Sequence, residues 1–192
     1  MEKIAYIGID PGKTGFITLL MDNEFTFYQM PYHKVDTGEL SKKTGKPVMK
    51  SEFNELGLLS LALEIRKKVE GYETKIAIEK VGGRGGWSAT NNFNFGDTNG
   101  LQKFLAMIIN GKRPLLVRPQ KWQTYMRQGY PDIKKASSSG KTMISDPKAV
   151  AKAIVDAEYP DIDFRKTERA KKDDDNKIDS FLICIYLSRI DN

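Results

Sequence analysis

The feature that most constrains this fold is a short apolar run near the start of the chain. Ile4 to Ile9 are apolar apart from one tyrosine and one glycine, and the run stops at Asp10-Pro11-Gly12, where proline and glycine favour a turn. A strand here would deliver Asp10 to its C-terminal edge. Two further β-rich stretches, 15–21 and 24–30, are separated by a pair suited to a tight reversal. We therefore predict that the chain opens with three antiparallel strands.

The remainder of the chain alternates helical and strand patterns. Helices are predicted to start at Ser51, Asp97, Asp146 and about Asp174. The apolar face predicted for the first of them contains Phe53, Leu56, Leu59 and Leu63. Further strands are predicted at 75–81 and 115–118. Because β-α-β crossovers follow an antiparallel opening, we predict an α/β fold in which parallel strands extend a mixed sheet and helices cover both of its faces.

Length and composition favour one compact, folded domain over residues 1–192. With 40% hydrophobic residues, the chain of 192 can bury a sizeable core. Three polar, glycine-containing segments, 31–50, 82–96 and 129–145, are expected to be mobile loops. No apolar run approaches the ~20 residues of a membrane helix, so we expect a cytoplasmic protein without a membrane partner. Cys184, the single cysteine, is expected in the core.

The charge balance favours an anionic partner. A formal net charge of +6 is modest, but basic side chains crowd the stretch after the second long helix and are interleaved with Trp122, Tyr125 and Tyr130. This mixture suits phosphate contacts and stacked bases, while Trp122 fits core packing equally well. The basic residues of this stretch are Lys112, Arg113, Arg118, Lys121, Arg127, Lys134, Lys135 and Lys141.

Four acidic residues occupy positions from which they could converge. Asp10 and Glu79 lie near the ends of two predicted strands, and Asp175 and Asp179 share one face of the last helix. That face continues into apolar residues, so Asp179 points towards the interior, where an unpaired carboxylate would cost several kcal/mol. Divalent cations held by such a cluster would remove this cost. The alternative is a solvated charge cluster at a helix start, with Asp10 a simple turn residue.

Three motifs resemble those of a known family. They are Ile7-Gly8-Ile9-Asp10-Pro11-Gly12 with Thr14-Gly15, Ile76-Ala77-Ile78-Glu79-Lys80-Val81, and Asp175-Asn176-Lys177-Ile178-Asp179-Ser180-Phe181-Leu182-Ile183. In order and separation they resemble RuvC-like Holliday-junction resolvases of the RNase H-like superfamily, especially the phage-encoded branch. Phe95-Gly96, Asn99-Gly100-Leu101 and Arg118-Pro119-Gln120-Lys121-Trp122 are similar to that branch too, so the resemblance covers most of the chain.

The resemblance implies an activity and a cofactor. Asp10, Glu79, Asp175 and Asp179 would bind two Mg²⁺ ions, with Mn²⁺ as a substitute, and hydrolysis of a phosphodiester would leave 5′-phosphate ends. The enzyme would be a structure-selective endodeoxyribonuclease that resolves four-way junctions and other branched DNA, in the host cytoplasm if phage-encoded. The bacterial enzymes space their last two acids by three residues, which here falls on Asn176. Asp174, Asp175 and Asn176 are therefore alternatives for the fourth ligand.

The resemblance also implies DNA contacts and an assembly. In the family, a loop after the glutamate strand carries an aromatic residue that wedges into the junction, and by position Trp87 or Arg84 is the candidate here. The expected DNA-binding residues are Lys80, Arg84, Trp87, Arg118, Lys121, Lys134, Lys135 and Lys141. A homodimer is expected because a four-way junction has two symmetric cleavable strands.

Two other functions fit part of the sequence. Asp10-Pro11-Gly12-Lys13-Thr14-Gly15 is also similar to the first phosphate loop of actin-like or hexokinase-like ATPases, but these need a second aspartate-glycine loop and a duplicated domain. A catalytically inactive junction-binding module is the other alternative. The intact acids at 10, 79 and 179 favour an enzyme over this module.

Overall fold

The computed structural model describes residues 3–80, 82, 86 and 88–191, and its centre is a five-stranded sheet. The bounds of its strands are Ile4–Ile9 for β1, Phe16–Met21 for β2, Glu24–Gln29 for β3, Glu73–Glu79 for β6 and Leu115–Val117 for β7. Across the sheet they lie in the order β3-β2-β1-β6-β7. Strands β1, β2 and β3 pair antiparallel, while β1 pairs β6 and β6 pairs β7 in parallel. The predicted mixed sheet, with an antiparallel opening, is confirmed.

Helices cover both faces of this sheet, which confirms the predicted α/β class. Their bounds are Glu55–Lys68 for α1, Ala89–Asn110 for α2, Pro119–Met126 for α3, Pro147–Glu158 for α4 and Asp175–Asp191 for α5. Side chains alternate along each strand, so β1 sends Ile7 and Ile9 into one core with α1 and α2. Its Tyr6 joins the opposite core, which α3, α4 and α5 complete.

A glycine sets the distance between β1 and α5. A Cβ added to Gly8 would lie 2.3 Å from the carbonyl oxygen of Ser180 and 2.4 Å from the amide nitrogen of Cys184. Glycine is required here because the helix backbone packs directly on the strand backbone. The Cys184 thiol donates to the Tyr6 carbonyl at 3.3 Å, and the Thr18 and Ser180 hydroxyls lie 2.8 Å apart. Helix α5 is therefore fixed across the strand that ends at Asp10.

Two segments that were predicted as loops form hairpins instead. Within 31–50 the chain builds β4 (Tyr32–Leu40), which pairs antiparallel with β5 (Pro47–Phe53). Within 129–145 it builds the short strands β8 (Lys134–Ala136) and β9 (Met143–Ser145). Both hairpins stand largely in solvent, so neither strand face has to be apolar and the sequence lacks the alternation that identifies a half-buried strand.

Two predicted helix starts are also wrong. Ser51 belongs to β5, and Asn54 caps α1 by accepting a bond of 2.9 Å from the Gly57 amide. Helix α2 begins at Ala89, so Asp97 lies inside the helix and most of the predicted 82–96 loop is helical. The predicted apolar face of α1 is mostly wrong as well. Its buried residues are Leu58, Leu61, Ala62 and Ile65, whereas Leu56, Leu59 and Leu63 are exposed.

Two further predictions from the sequence concern the single cysteine and membrane-spanning helices. Cys184 is fully buried, as predicted, and burial raises the pKa of its thiol to about 12. It is therefore an inert core residue. Among the described residues, none of the helices combines the length and apolarity that crossing a membrane requires.

Candidate active site

Asp10 and Glu79 leave neighbouring strands at the same edge of the sheet. Ile9 of β1 pairs with Ile78 of β6 in parallel register, so the residue that follows each of them reaches the edge side by side. Adjacent strands lie about 4.8 Å apart. The Asp10 amide donates to the Phe16 carbonyl at 3.1 Å, which holds the turn after β1 closed. The sheet thus supplies two of the four predicted carboxylates from one pair of strands.

Asp179 reaches this edge from the helix that packs across β1. It lies in the second turn of α5, next to the fully buried Ser180 and Phe181. The apolar continuation of its face is buried as predicted, since Leu182, Ile183 and Tyr186 all lie in the core. Asp179 is thereby the polar end of an apolar helix face, directed at the strand ends.

The electrostatics indicate that these carboxylates are close. Burial raises the pKa of Asp10 well above its ordinary value of 3.8, and the charges of Asp179 and Glu79 raise it further. Burial likewise raises the pKa of Asp179 to about 7, with a contribution from Glu79. Lys148 opposes both shifts. Carboxylates that repel one another in a low-dielectric pocket are stabilised by any cation that binds between them.

Glu79 is oriented by a tryptophan of α3. The indole Nε1 of Trp122 donates to Glu79 Oε2 at 2.8 Å, and the ring itself is 1% exposed. Trp122 is therefore a core residue, one of the two roles that the sequence left open, and it does not offer its face to a base. Its bond to Glu79 holds one carboxylate oxygen on the α3 side of the edge.

The three candidates for the fourth ligand have different partners. Asp174 Oδ1 accepts from the amides of Asn176 and Lys177, at 3.0 and 3.2 Å, so Asp174 acts as the N-terminal cap of α5. The Asn176 side chain donates to the carbonyl and hydroxyl oxygens of Thr14, at 3.1 and 3.2 Å. Asp175 forms an exposed ion pair of 2.6 Å with Lys148. Exposed ion pairs contribute little to stability. Of the three candidates, Asp175 would therefore lose the least free energy on exchanging its partner.

The donor chemistry of this edge fits a hard divalent cation, although the side chains are not gathered around one point. Within the described residues, no group of three or more His, Cys, Asp or Glu side chains lies close enough to hold a metal ion. Glu79 is bonded to Trp122 and Asp175 to Lys148, so two of the four carboxylates are turned to other partners. Oxygen donors, burial and mutual repulsion are nevertheless the properties that Mg²⁺ sites use.

Most of the predicted DNA-binding residues are exposed around this edge. Lys80 and Arg118 directly follow the C-terminal ends of β6 and β7, and Lys121 lies in the first turn of α3. Lys134, Lys135 and Lys141 belong to the β8–β9 segment, where Lys135 pairs with Asp146 at 3.1 Å. Arg84 and Trp87 lie outside the described residues.

The sequence did not single out two residues that the structure brings to the site. Lys148, in the first turn of α4, contacts Asp175 and lowers the pKa of both buried aspartates. Thr14 connects the turn after β1 to Asn176 of α5. The sequence pair Asp146-Pro147 correctly predicted the start of α4. It could not predict that this start packs against α5, because that contact joins residues far apart in the sequence.

Comparison with known proteins gives a likeness at the level of solved structures. No family model and no curated protein matches the chain. Among solved structures, the fold is similar to that of T. thermophilus RuvC in complex with Holliday junction substrate. The TM-score is 0.42 and the identity 12%, over 97% of this chain and 96% of that one. A likeness of this size does not carry a function from one protein to the other.

Proposed function

We propose that this chain is a metal-dependent endonuclease that cuts branched DNA, in the manner of the RuvC-like junction resolvases that its motifs resemble. The observation that carries the proposal is the register of β1 and β6. It brings Asp10 and Glu79 to one edge, against the helix that carries Asp179. Buried, mutually repelling carboxylates are costly for folding alone. A catalytic cation site at the end of parallel strands accounts for that cost.

Asp10, Glu79, Asp179 and Asp175 would hold two Mg²⁺ ions, for which Mn²⁺ would substitute. The chemistry that such ions would supply is activation of a water molecule and stabilisation of the departing 3′ oxygen, so that hydrolysis would leave a 5′-phosphate. The chain's own contribution is positioning. Trp122 orients Glu79, and Gly8 lets α5 approach closely enough for Asp179 to face the strand ends. Lys148 neutralises part of the negative charge before metal arrives.

The proposed substrate is a four-way junction or similarly branched DNA. Support comes from the exposed basic side chains at the carboxylate edge: Lys80 and Arg118 directly follow strands that end there, and Lys121 lies in the first turn of α3. Such side chains position a phosphate backbone. Trp87 or Arg84 remains the predicted junction wedge.

We further propose a homodimer, with the exposed apolar face of α1 and α2 as the contact between two copies. Leu56 is 78% exposed and Phe104 61%, and together with Leu59 they line a groove of about 260 Å³ between the two helices. A contiguous apolar patch on a soluble protein marks an interface. A two-fold axis through this face would pair identical patches and give each of two symmetric DNA strands one active site.

A second candidate function is a junction-binding module without catalysis. One observation favours it: within the part of the chain that the structure describes, the carboxylates are not gathered around a single metal position. Binding without cutting would then need the basic residues but not the acids. The two functions differ in what a substitution at Asp10 does.

The test is cleavage of labelled DNA by purified protein. A four-way junction, a duplex and a flap of equal length are incubated with the parent and with Asp10→Asn, with and without Mg²⁺. We expect Mg²⁺-dependent nicking of the junction by the parent, none by the variant, and similar junction binding by both. Binding with no cutting by either protein would establish the inactive module. Undiminished cutting by the variant would assign the chemistry to other residues.

A further inference from the structure

The β4–β5 hairpin is long for a segment that buries so little. From the Tyr32–Phe53 pair to the Leu40–Pro47 pair it extends about 25 Å, at roughly 3.3 Å per residue. Apart from its root, most of its side chains are exposed, including Leu40 and Met49. A two-stranded hairpin gains little stability on its own, so packing does not explain its length.

The root of this hairpin lies at the carboxylate edge. Lys13, in the turn that follows Asp10, donates from Nζ to the Ser51 carbonyl at 2.7 Å. The Met30 amide, just before the hairpin, donates to the Gly15 carbonyl at 3.0 Å. Phe53, at the end of β5, is 4% exposed and joins the core under α1. The hairpin is thus anchored to the same turn that positions Asp10.

The tip of the hairpin is basic. The turn is closed by bonds between Ser41 and Lys46 and between Gly45 and Ser41, of 2.9 and 2.8 Å. Between Leu40 and Pro47 the chain places Lys42, Lys43 and Lys46, all exposed, and no acidic residue. Lower on the hairpin, Lys50 is paired with Glu52 at 3.2 Å. Glu39 lies just before this segment, so three lysines and one glutamate leave residues 39–47 with a net charge of +2 at the far end, away from the fold.

The β8–β9 hairpin leaves the same edge on the opposite side of the sheet. Its root is closed by a 2.7 Å bond from the Asp146 amide to the Ile133 carbonyl. Two residues further along the chain, Lys148 contacts Asp175 at the site. It leads into α4, which packs in the core with Tyr6, whereas β4–β5 leads into α1 and the core with Ile7. The second hairpin exposes Lys134 and Lys141. The carboxylate edge thus has a basic hairpin on each side.

We propose that the lysine tip of β4–β5 binds the phosphate backbone of a double-stranded DNA arm, opposite the β8–β9 hairpin, so that the two hairpins grip the substrate on both sides of the carboxylate edge. This inference rests on the proposed function, since the carboxylate edge is where DNA would be cut. Duplex DNA carries closely and regularly spaced charges along its length. An exposed projection with three lysines at its end fits such a partner through phosphate contacts without base specificity.

The experiment compares two variants that each remove three positive charges. Lys42→Ala/Lys43→Ala/Lys46→Ala changes the tip, and Arg66→Ala/Lys67→Ala/Lys68→Ala changes exposed residues in the last turn of α1, at the opposite edge of the sheet. Binding of a labelled four-way junction and of a duplex is measured in EDTA at several salt concentrations. Cleavage of the junction is measured in Mg²⁺ at saturating protein.

We expect the tip variant to bind both DNAs at least about tenfold more weakly near 0.1 M salt. The slope of log affinity against log salt should fall by about 0.9 for each phosphate contact that is lost, up to three contacts. Its cleavage rate at saturation should equal that of the parent, because the carboxylates are untouched. The opposite-edge variant should bind and cut like the parent.

Two outcomes would overturn the inference while leaving the nuclease proposal intact. One is a tip variant with the affinity and salt slope of the parent. The other is an equal loss in both variants, which would reflect net charge and no localised contact. A parent protein that binds neither DNA would overturn the nuclease proposal and this inference together.

Discussion

Replacing Asp179 with asparagine should stabilise the metal-free protein at neutral pH and above. The pKa of this carboxyl is raised from 3.8 to about 7, first by burial and then by the charge of Glu79. A shift of about 3 units corresponds to about 4 kcal/mol, at ~1.36 kcal/mol per unit. That value is the upper limit of what the ionised aspartate costs the folded state. Asparagine has nearly the same shape and carries no charge, so it removes the cost.

The pH window follows from the sign of the shift. Below pH 3.8 the carboxyl is protonated in both the folded and the unfolded chain, so it does not affect the free energy of unfolding. Between 3.8 and about 7 the folded protein holds the proton that the unfolded chain has lost, and stability falls as the pH rises. Above about 7 the penalty is complete. Asp10, whose pKa is also raised by burial, acts in the same direction.

The assay is thermal unfolding in EDTA from pH 4.5 to 8, with Asp161→Asn, an exposed residue of the same charge, as the control. At pH 8 the Asp179→Asn variant should melt at most about 8–16 °C above the parent, at about 2–4 °C per kcal/mol. Near pH 4.5 the difference should largely vanish. Mg²⁺ should raise the melting temperature of the parent more than that of the variant. Parallel curves for parent and variant across this range would refute a buried, ionised Asp179.

Three further substitutions test other parts of the structure. Trp122→Phe removes the indole bond to Glu79 and should raise the Mg²⁺ concentration for half-maximal junction cleavage by about tenfold, whereas Tyr125→Phe should not. Gly8→Ala should lower the free energy of unfolding in urea by about 1–3 kcal/mol because the new methyl group overlaps α5. Gly100→Ala, which enters open space within α2, should not lower it. Phe104→Glu should give a monomer in gel filtration with light scattering, and an unchanged dimer would move the interface elsewhere.

The sheet was predictable from sequence because its signals are local. The run from Ile4 to Ile9 is apolar, it stops at proline and glycine, and a tight reversal joins the next two strands, at Asp22 and Asn23, which both have positive φ. The parallel strands are equally plain, being short, apolar and bounded by turn residues. Burial on both faces makes β1 and the second half of β6 visible in one dimension.

The hairpins and the face of α1 were missed for a common physical reason. Hydrophobic periodicity reports which side chains are buried, and it carries no information where a strand is exposed on both faces, as in residues 36–40 of β4. In α1 the pattern of Leu56, Leu59 and Leu63 is truly helical, but it marks an outward apolar stripe beside the buried one. A sequence pattern cannot distinguish a face that packs on the sheet from one available to a second copy.

The sequence predicted which acidic residues form the candidate site, but not which side chains they contact. The strand ends predicted that Asp10 and Glu79 would be neighbours, and the register of β1 and β6 places them so. The partners of these acids were not predictable. Trp122 meets Glu79, and Lys148 meets Asp175, because α3 and α4 pack against α5. The two residues of each pair are separated by tens of positions in the sequence.

The central sheet also acts as a partition between two apolar compartments. Ile7 and Ile9 face one of them and Tyr6 the other, so the strands themselves are the principal link between α1 and α2 on one side and α3, α4 and α5 on the other. Substitutions in opposite compartments share few neighbours, and their free energies should therefore add. Selection could then reshape the exposed apolar face of α1 and α2 independently of the helix that carries Asp179, and a laboratory could engineer the two separately.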